Sequence, residues 1–422
     1  MKKIDIGFFG MSHLGIVYSA VASEKNFNVL GFDTNNHLIE NLNNKIIHIF
    51  EKNLSNIINK NINKKLFYSS KISDLKKCKI IFVSQDVQTD SKGNSDLKKL
   101  NSIISKIIKY TSKNTILVLL SQVPPGFIRS IRWPKSKLYY QVETLVFGKA
   151  IKRAMSPERI IVGKEKQNSK INLIYRKFLN NFNTKIIEMN YESSELAKIS
   201  INLFLISNIS TANSLARVAE NIGADWTSII EALRLDKRIG KNSYIEPGLG
   251  LSGGNLERDL NTINKISKKI LPNEKLYDAF RICSNESKNW VEDILKSISK
   301  KNKYKNITIL GISYKEDTNS LKNSPSLDLI KNTRHYKFRV HDPIVKIDNS
   351  FNTEYCGNLK NSMKYTEILI IMNKSNVYKK ISYKYLTSNF KGKIIIDPFG
   401  VLSHINSIYF KYTYFCIGKS NL

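Results

Sequence analysis

Two glycine-rich turns carry the residue types in this chain that could do chemistry. The first, Gly10-Met11-Ser12-His13-Leu14-Gly15, follows an apolar run and opens a helical pattern. In that setting a pyrophosphate sits over a helix N-terminus, with glycines where the backbone turns sharply or must approach the phosphate. Ser12 stands where a complete fingerprint has its second glycine, so its side chain either weakens phosphate binding or donates a hydrogen bond. Asp33 closes the next apolar run, Asn28–Phe32, where a carboxylate binds ribose hydroxyls and repels a 2′-phosphate. Together these features favour NAD over NADP. A Rossmann-type turn that holds no dinucleotide would keep the same glycines. The second turn, Pro247 to Asp259, is a glycine-dense loop that runs into a helical pattern and ends in the charged pair Arg258–Asp259.

The elements that must position these turns fall into three blocks. Short apolar runs at Ile4–Phe9, Asn28–Phe32, Ile80–Ser84 and Thr115–Leu120 alternate with helical patterns, as βαβ units of a parallel sheet do. From Ser193 to about Asn221 apolar residues recur at helical spacing without Pro or Gly, which predicts one long helix; a second helical region runs from Leu260 to about Ile298. Lys300 to Asn306 reads as a linker. Strand patterns then restart at Ile307–Gly311, Phe338–Pro343, Glu367–Met372 and Lys393–Asp397.

At 422 residues, with 41% hydrophobic and 24% charged, the chain is globular and long enough for two or three domains. No apolar run approaches the ~20 residues of a membrane helix, and no secretory signal pattern opens the sequence, so a cytoplasmic location is expected. The net charge of +32 would suit nucleic acid, but the lysines are spread among Asn and Ile with no recognised module. The same field favours a diphosphate-bearing substrate and an anionic cofactor. Cys78, Cys283, Cys356 and Cys416 show neither close pairing nor metal spacing.

Further segments, in order along the chain, carry a resemblance. They are Ser121-Gln122-Val123-Pro124-Pro125-Gly126; Glu143-Thr144-Leu145 with Gly148 and Ala150; Pro157 to Gly163; Glu195, Lys198 and Asn202; Asp236 to Gly240; the Pro247–Asp259 loop; Gly311 to Lys315; Asn323-Ser324-Pro325; and His341-Asp342-Pro343. In this order they resemble the UDP-glucose/GDP-mannose dehydrogenase family over essentially the whole chain. Family members oxidise the primary alcohol of a nucleotide sugar to a carboxylate in two NAD-dependent steps.

The resemblance implies an α/β fold of two Rossmann-like domains with parallel sheets joined by a central helical region. Residues 1–190 would bind NAD, 191–299 would form a helical dimerisation region with the active-site loop, and 300–422 would bind the nucleotide sugar, expected to be a UDP-sugar. NAD would be held by Gly10, Ser12, Gly15, Asp33, Ser121 and Gln122. Arg238, Gly250, Gly253 and Lys315 would contact the substrate, Arg238 by reaching across a homodimer. Lys198 and Asn202 are spaced i,i+4 on one helix face. A lysine and an amide so placed stabilise an alkoxide-like oxygen as hydride leaves. Asp259 would orient a water or accept a proton, and Glu143 is the other candidate for proton handling.

Departures from the family pattern cluster at the reaction centre. Asn255 stands at the position of the family's cysteine, and a carboxamide cannot form the thioester of the second oxidation. Gln122, Phe147, Val87-Gln88 and Asn319–Lys322 also differ. Three readings stay open. The first is an NAD-dependent oxidoreductase that makes one hydride transfer, or oxidises a hydrated aldehyde without a covalent intermediate. The second is an inactive nucleotide-sugar- and NAD-binding homologue acting as a partner protein. The third is a nucleic-acid-associated protein.

Overall fold

The computed structural model describes residues 5–90, 95–300, 302–349 and 352–420. The chain folds as two compact units, Met1–Ile201 and Asn202–Leu422.

Eight strands among the described residues form the sheet of the first unit: β1 (Ile6–Phe9), β2 (Val29–Phe32), β3 (Leu66–Ser69), β4 (Ile80–Val83), β5 (Ile116–Leu119), β6 (Leu138–Gln141), β7 (Ile160–Lys164) and β8 (Ile186–Asn190). Their order is β8-β7-β6-β5-β4-β1-β2-β3, parallel throughout except for the β6–β7 pair. β1, β2, β4 and β5 are runs of four buried residues each, as required of strands covered on both faces. Two apolar clusters, one per face, account for that burial. All four strands expected here are present, trimmed by a residue or two; Ile4 lies outside the described residues. Helix α1 (His13–Glu24) follows β1 and is buried along most of its length. Strand order reverses between β1 and β4, so the crevice of a doubly wound sheet opens at their carboxyl ends.

Helix α2 (Tyr191–Ile222) is the expected long helix, extended slightly at both ends, and Gly223 with φ +78° ends it. The second unit continues with α3 (Trp226–Leu235), α4 (Asn255–Ile270) and α5 (Leu276–Ser299). The single helical region expected from Leu260 to about Ile298 is therefore two helices. Leu271 precedes Pro272, whose ring drives its neighbour out of the helical range, and Leu271 has φ −128° and ψ 74°. The first of the two also starts earlier, at Asn255.

A second sheet follows, made of β9 (Asn306–Leu310), β10 (Lys337–His341), β11 (Thr353–Tyr355), β12 (Ile368–Ile371), β13 (Ile394–Ile396) and β14 (Thr413–Phe415). Its order is β11-β10-β9-β12-β13-β14, all parallel among the described residues. The three-residue edge strands β11 (Thr-Glu-Tyr) and β14 (Thr-Tyr-Phe) escaped the sequence pattern because, unlike the equally short all-isoleucine β13, they are not apolar runs. Both sheets are clasped in the same way. The Gly10 amide donates to the Phe32 carbonyl (2.9 Å) and the Met11 amide to Asp33 Oδ2 (2.8 Å). In the second sheet the Gly311 amide donates to the His341 carbonyl (2.8 Å) and the Ile312 amide to Asp342 Oδ2 (2.8 Å). A glycine ending the first strand and an aspartate ending the second thus shape the same turn twice.

Candidate active site

The dinucleotide turn is built as its glycines require. Gly10 has φ +103°, and a Cβ there would lie 2.9 Å from the Gln85 amide nitrogen; at Gly15 it would lie 1.9 Å from the Gly10 carbonyl oxygen. Ser12 behaves differently from either expectation. Its hydroxyl donates to the Ser84 carbonyl (2.9 Å) and accepts from the Asp86 amide (2.9 Å), so its one proton is used inside the fold. Ser121, just beyond β5, is likewise committed, donating to the Gln85 carbonyl at 2.7 Å. These serines bolt the ends of β1, β4 and β5 together. Gln122 follows, half-buried.

Asp33 sits at the end of β2 as expected, but it is buried and its two oxygens accept from the Met11 (2.8 Å) and Asn35 (3.0 Å) amides. It shapes the turn first, with one lone pair per oxygen left for a ribose hydroxyl. Two obligatory glycines, this aspartate and a 12-residue helix without acids of its own in the first turn fit a dinucleotide. Asp86, which no motif marked, follows β4, and its amide donates to Ser12 Oγ at 2.9 Å. Its only signal was an ionisable group just past a central strand.

Lys198 and Glu143 are brought together in the first unit. Both are largely buried, Lys198 at 8% exposure, with Nζ 3.7 Å from a Glu143 oxygen. The other Glu143 oxygen accepts from the Leu145 amide. Glu195, fully buried one turn before Lys198, accepts from the Gly126 (2.6 Å) and Ile128 (2.7 Å) amides and so fixes the start of α2 against the Pro124–Gly126 turn. Burial pushes its carboxyl up to about 6 despite those bonds. Glu51 binds His13 Nε2 (2.9 Å) and the Gly148 (2.9 Å) and Ala150 (3.0 Å) amides. Burial opposes its charge, but these partners win and hold its carboxyl below the ordinary value.

In the second unit Asn202, at 7% exposure, donates from Nδ2 to Asp259 Oδ2 at 2.5 Å. Asp259 is 2% exposed and also faces Arg258 Nε at 3.5 Å, so its carboxylate is an acceptor toward both. The glycine loop is pinned against its own unit. The Gly248 amide donates to Asn213 Oδ1 (2.8 Å), the Leu251 amide to Ser284 Oγ (2.8 Å), and Asn323 Nδ2 to the Gly253 carbonyl (2.7 Å). Gly250 and Gly253 have φ +66° and +79°; added Cβ atoms would meet the Ser284 carbonyl oxygen at 2.3 Å and the Tyr314 ring at 3.1 Å. Lys315 holds its ammonium 5.7 Å from the centre of that same ring. Asn255 is the exposed first residue of α4. Lys322, from a segment that departs from the family, lies along Gly254, and burial with the nearby Arg258 holds its ammonium below the usual range. Arg238 is exposed and pairs with Asp236 at 2.6 Å; within its unit it is not gathered to the Asn202–Asp259 pair.

None of the four cysteines is set up as a thiolate. Burial pushes Cys78 and Cys416 up to about 12 and raises Cys356 and Cys283; Cys283 donates to the Ser210 carbonyl at 3.3 Å.

Two doubly wound α/β sheets, a dinucleotide turn and buried lysine–carboxylate and amide–carboxylate pairs define the dehydrogenase class. Sequence models of the UDP-glucose/GDP-mannose dehydrogenase family match in three parts: the NAD binding domain over residues 4–179, the central domain over 192–285 and the UDP binding domain over 308–404. The UDP-glucose 6-dehydrogenase of Rickettsia bellii is 27% identical over 431 residues, covering 97% of this chain and 98% of that protein. UDP-glucose 6-dehydrogenase TuaD of Bacillus subtilis is 26% identical over 436 residues, covering 99% and 94%. Among solved structures, a UDP-D-ManNAc dehydrogenase from Pyrococcus horikoshii has the same fold, with a TM-score of 0.86 at 19% identity over 99% of this chain and 100% of that one. A UDP-glucose dehydrogenase from Pyrobaculum islandicum gives 0.85 at 19% identity, over 99% and 98%. The chain belongs to the UDP-glucose/GDP-mannose dehydrogenase family, whose members are NAD-dependent nucleotide-sugar oxidoreductases. Among the described residues no helix is long and apolar enough to cross a membrane.

Proposed function

We propose that the protein oxidises the primary alcohol of a UDP-sugar with NAD, in the manner of a UDP-glucose 6-dehydrogenase, and stops after one two-electron step. The observation that carries this is the pair of buried contacts Lys198–Glu143 and Asn202–Asp259, whose first members stand one turn apart on α2. Bound NAD supplies the hydride acceptor. Glu143 takes the alcohol proton, and Lys198, poorly solvated and paired at 3.7 Å, stabilises the alkoxide left behind. Asp259 fixes the orientation of the Asn202 amide. The carboxamide of Asn255 makes no covalent adduct, and no thiolate among the described cysteines replaces it.

The division of labour follows the family: dinucleotide in 1–190, dimer contacts in 191–299, nucleotide sugar in 300–422. A cytoplasmic homodimer is supported by four free cysteines and by apolar side chains left exposed along α2: Phe204 (75%), Leu215, Val218 and Ile222. Arg238, whose ion-pair partner among the described residues is its neighbour Asp236, serves the second copy.

The test counts NADH formed per UDP-sugar consumed and weighs the product. One NADH with an aldehyde supports the assignment. Two NADH with an acid and a trappable thioester overturn it. Calorimetric binding of NAD and UDP-sugar without turnover would instead establish the binding homologue.

A further inference from the structure

Glu51 lies just before the helix Leu54–Asn61, and its side chain is fully buried. Its carboxylate joins two distant parts of the first unit. Oε1 accepts from the Gly148 amide (2.9 Å) and lies 2.9 Å from His13 Nε2, and Oε2 accepts from the Ala150 amide (3.0 Å). A carboxylate can only accept, so the proton of the His13 contact stands on Nε2. His13 is the first residue of α1, the helix whose N-terminus meets a dinucleotide's phosphates. Its ring also lies against that of Phe147, with centroids 4.4 Å apart.

Phe147, Gly148 and Ala150 belong to the segment that carries Glu143. It leaves the sheet after Val142, whose amide still bonds the Ile161 carbonyl at 3.0 Å, and enters the helix Ala150–Met155. In between, the backbone makes a turn bond from the Lys149 amide to the Val146 carbonyl (2.9 Å), and side chains fasten the remainder. Arg153 Nε donates to the Thr144 carbonyl (2.8 Å), while Glu51 and His13 hold residues 147, 148 and 150. At the other end of the segment Glu143 meets Lys198 Nζ at 3.7 Å. A continuous set of contacts thus runs from the first residue of the dinucleotide helix, through one buried carboxylate, to the segment bearing the group assigned to take the alcohol proton.

We propose that Glu51 is a positioning residue: with His13 it clamps the 143–150 segment to the start of α1, so that Glu143 keeps a fixed place relative to bound NAD. The role rests on the alcohol oxidation assigned to Glu143 and Lys198. Fully buried, Glu51 acts through the backbone of Gly148 and Ala150 and not by touching the reacting atoms. A proton acceptor displaced by about 1 Å loses on the order of 10²-fold in rate, while binding contacts made elsewhere persist. Glu51→Gln keeps the side chain's size but leaves one acceptor oxygen for three donors.

Steady-state kinetics with UDP-glucose and UDP-N-acetylmannosamine, and calorimetry with NAD, test this on Glu51→Gln, His13→Ala and the double variant. In Glu51→Gln kcat should fall about 10²-fold, with KM for the sugar and Kd for NAD within about threefold of the unaltered protein. Its kcat should also climb with pH more steeply than in the unaltered protein, by up to about tenfold per unit, because hydroxide takes the proton that Glu143 no longer reaches. His13→Ala removes one of the three donors and should cost about tenfold in kcat alone. The double variant should lose no more than Glu51→Gln, since both changes act on one clamp. Losses that multiply in the double variant, a loss confined to KM or to NAD affinity, or parallel pH profiles overturn the proposal. If Glu51→Gln does not fold, His13→Ala decides, and an unchanged kcat or an equal loss in kcat and binding overturns it. No NADH from either sugar with the unaltered protein overturns the oxidation itself, and this proposal with it, and is distinguishable from the other outcomes.

Discussion

Restoring a thiol at position 255 should add the missing half of the family's chemistry. Asn255 is exposed and begins a 16-residue helix, so Asn255→Cys removes no buried contact and should change stability by less than about 0.5 kcal/mol. The N-terminus of α4 favours an anion by about 0.3–1 kcal/mol, which lowers a thiol pKa by roughly 0.2–0.7 from its usual ~8.5. Glu257, two residues further on in the first turn of α4, offers little opposition because Lys288 pairs with it at 2.6 Å. At pH 8.5 the thiolate fraction should rise from about one half to about 0.6–0.8. The assay has two parts: iodoacetamide labelling against pH gives the pKa, and NADH counting with product mass gives the stoichiometry. The variant should form two NADH and an acid where the parent forms one NADH and an aldehyde. A parent that already makes two would refute the role assigned to the missing thiol. A variant with a lowered thiol pKa but unchanged stoichiometry would refute the placement of Asn255 beside the reacting carbon.

Three further outcomes are expected. Lys198→Met should lower kcat about 10²–10⁴-fold while calorimetric binding of the UDP-sugar persists, since the alkoxide exists only after the proton leaves; equal losses in binding and turnover would assign Lys198 to ground-state binding. Gly15→Ala puts a methyl 1.9 Å from a backbone oxygen and should cost at least about 2 kcal/mol in denaturant unfolding and abolish dinucleotide binding. Glu195 has a folded pKa of about 6 against an ordinary 4.5, so the folded state holds its proton more tightly. Its contribution is most favourable below about 4.5 and is lost as pH rises through 6, about 2 kcal/mol in all. Glu195→Gln should remove that share of the pH dependence of unfolding, and identical pH profiles for the two proteins would count against it.

The sequence by itself determined the backbone plan. Strands buried on both faces must be apolar throughout, so β1, β2, β4 and β5 were legible as short runs, and α2 was legible because one periodic stretch contains no breaker. Gly10, Gly15, Gly250 and Gly253 were legible because a Cβ at each would meet backbone or a packed ring. The break at Pro272 was present in the sequence too, but helical periodicity on both sides hid it.

Tertiary structure alone decided where side chains spend their hydrogen bonds. Ser12 points into the β4 loop, Asp33 is claimed by the Met11 amide, and Glu51 crosses to Gly148. Each of these pairings joins residues far apart in the chain. A residue's type sets what it can bond, but in a buried site its partner is whichever group the sheet order places next to it.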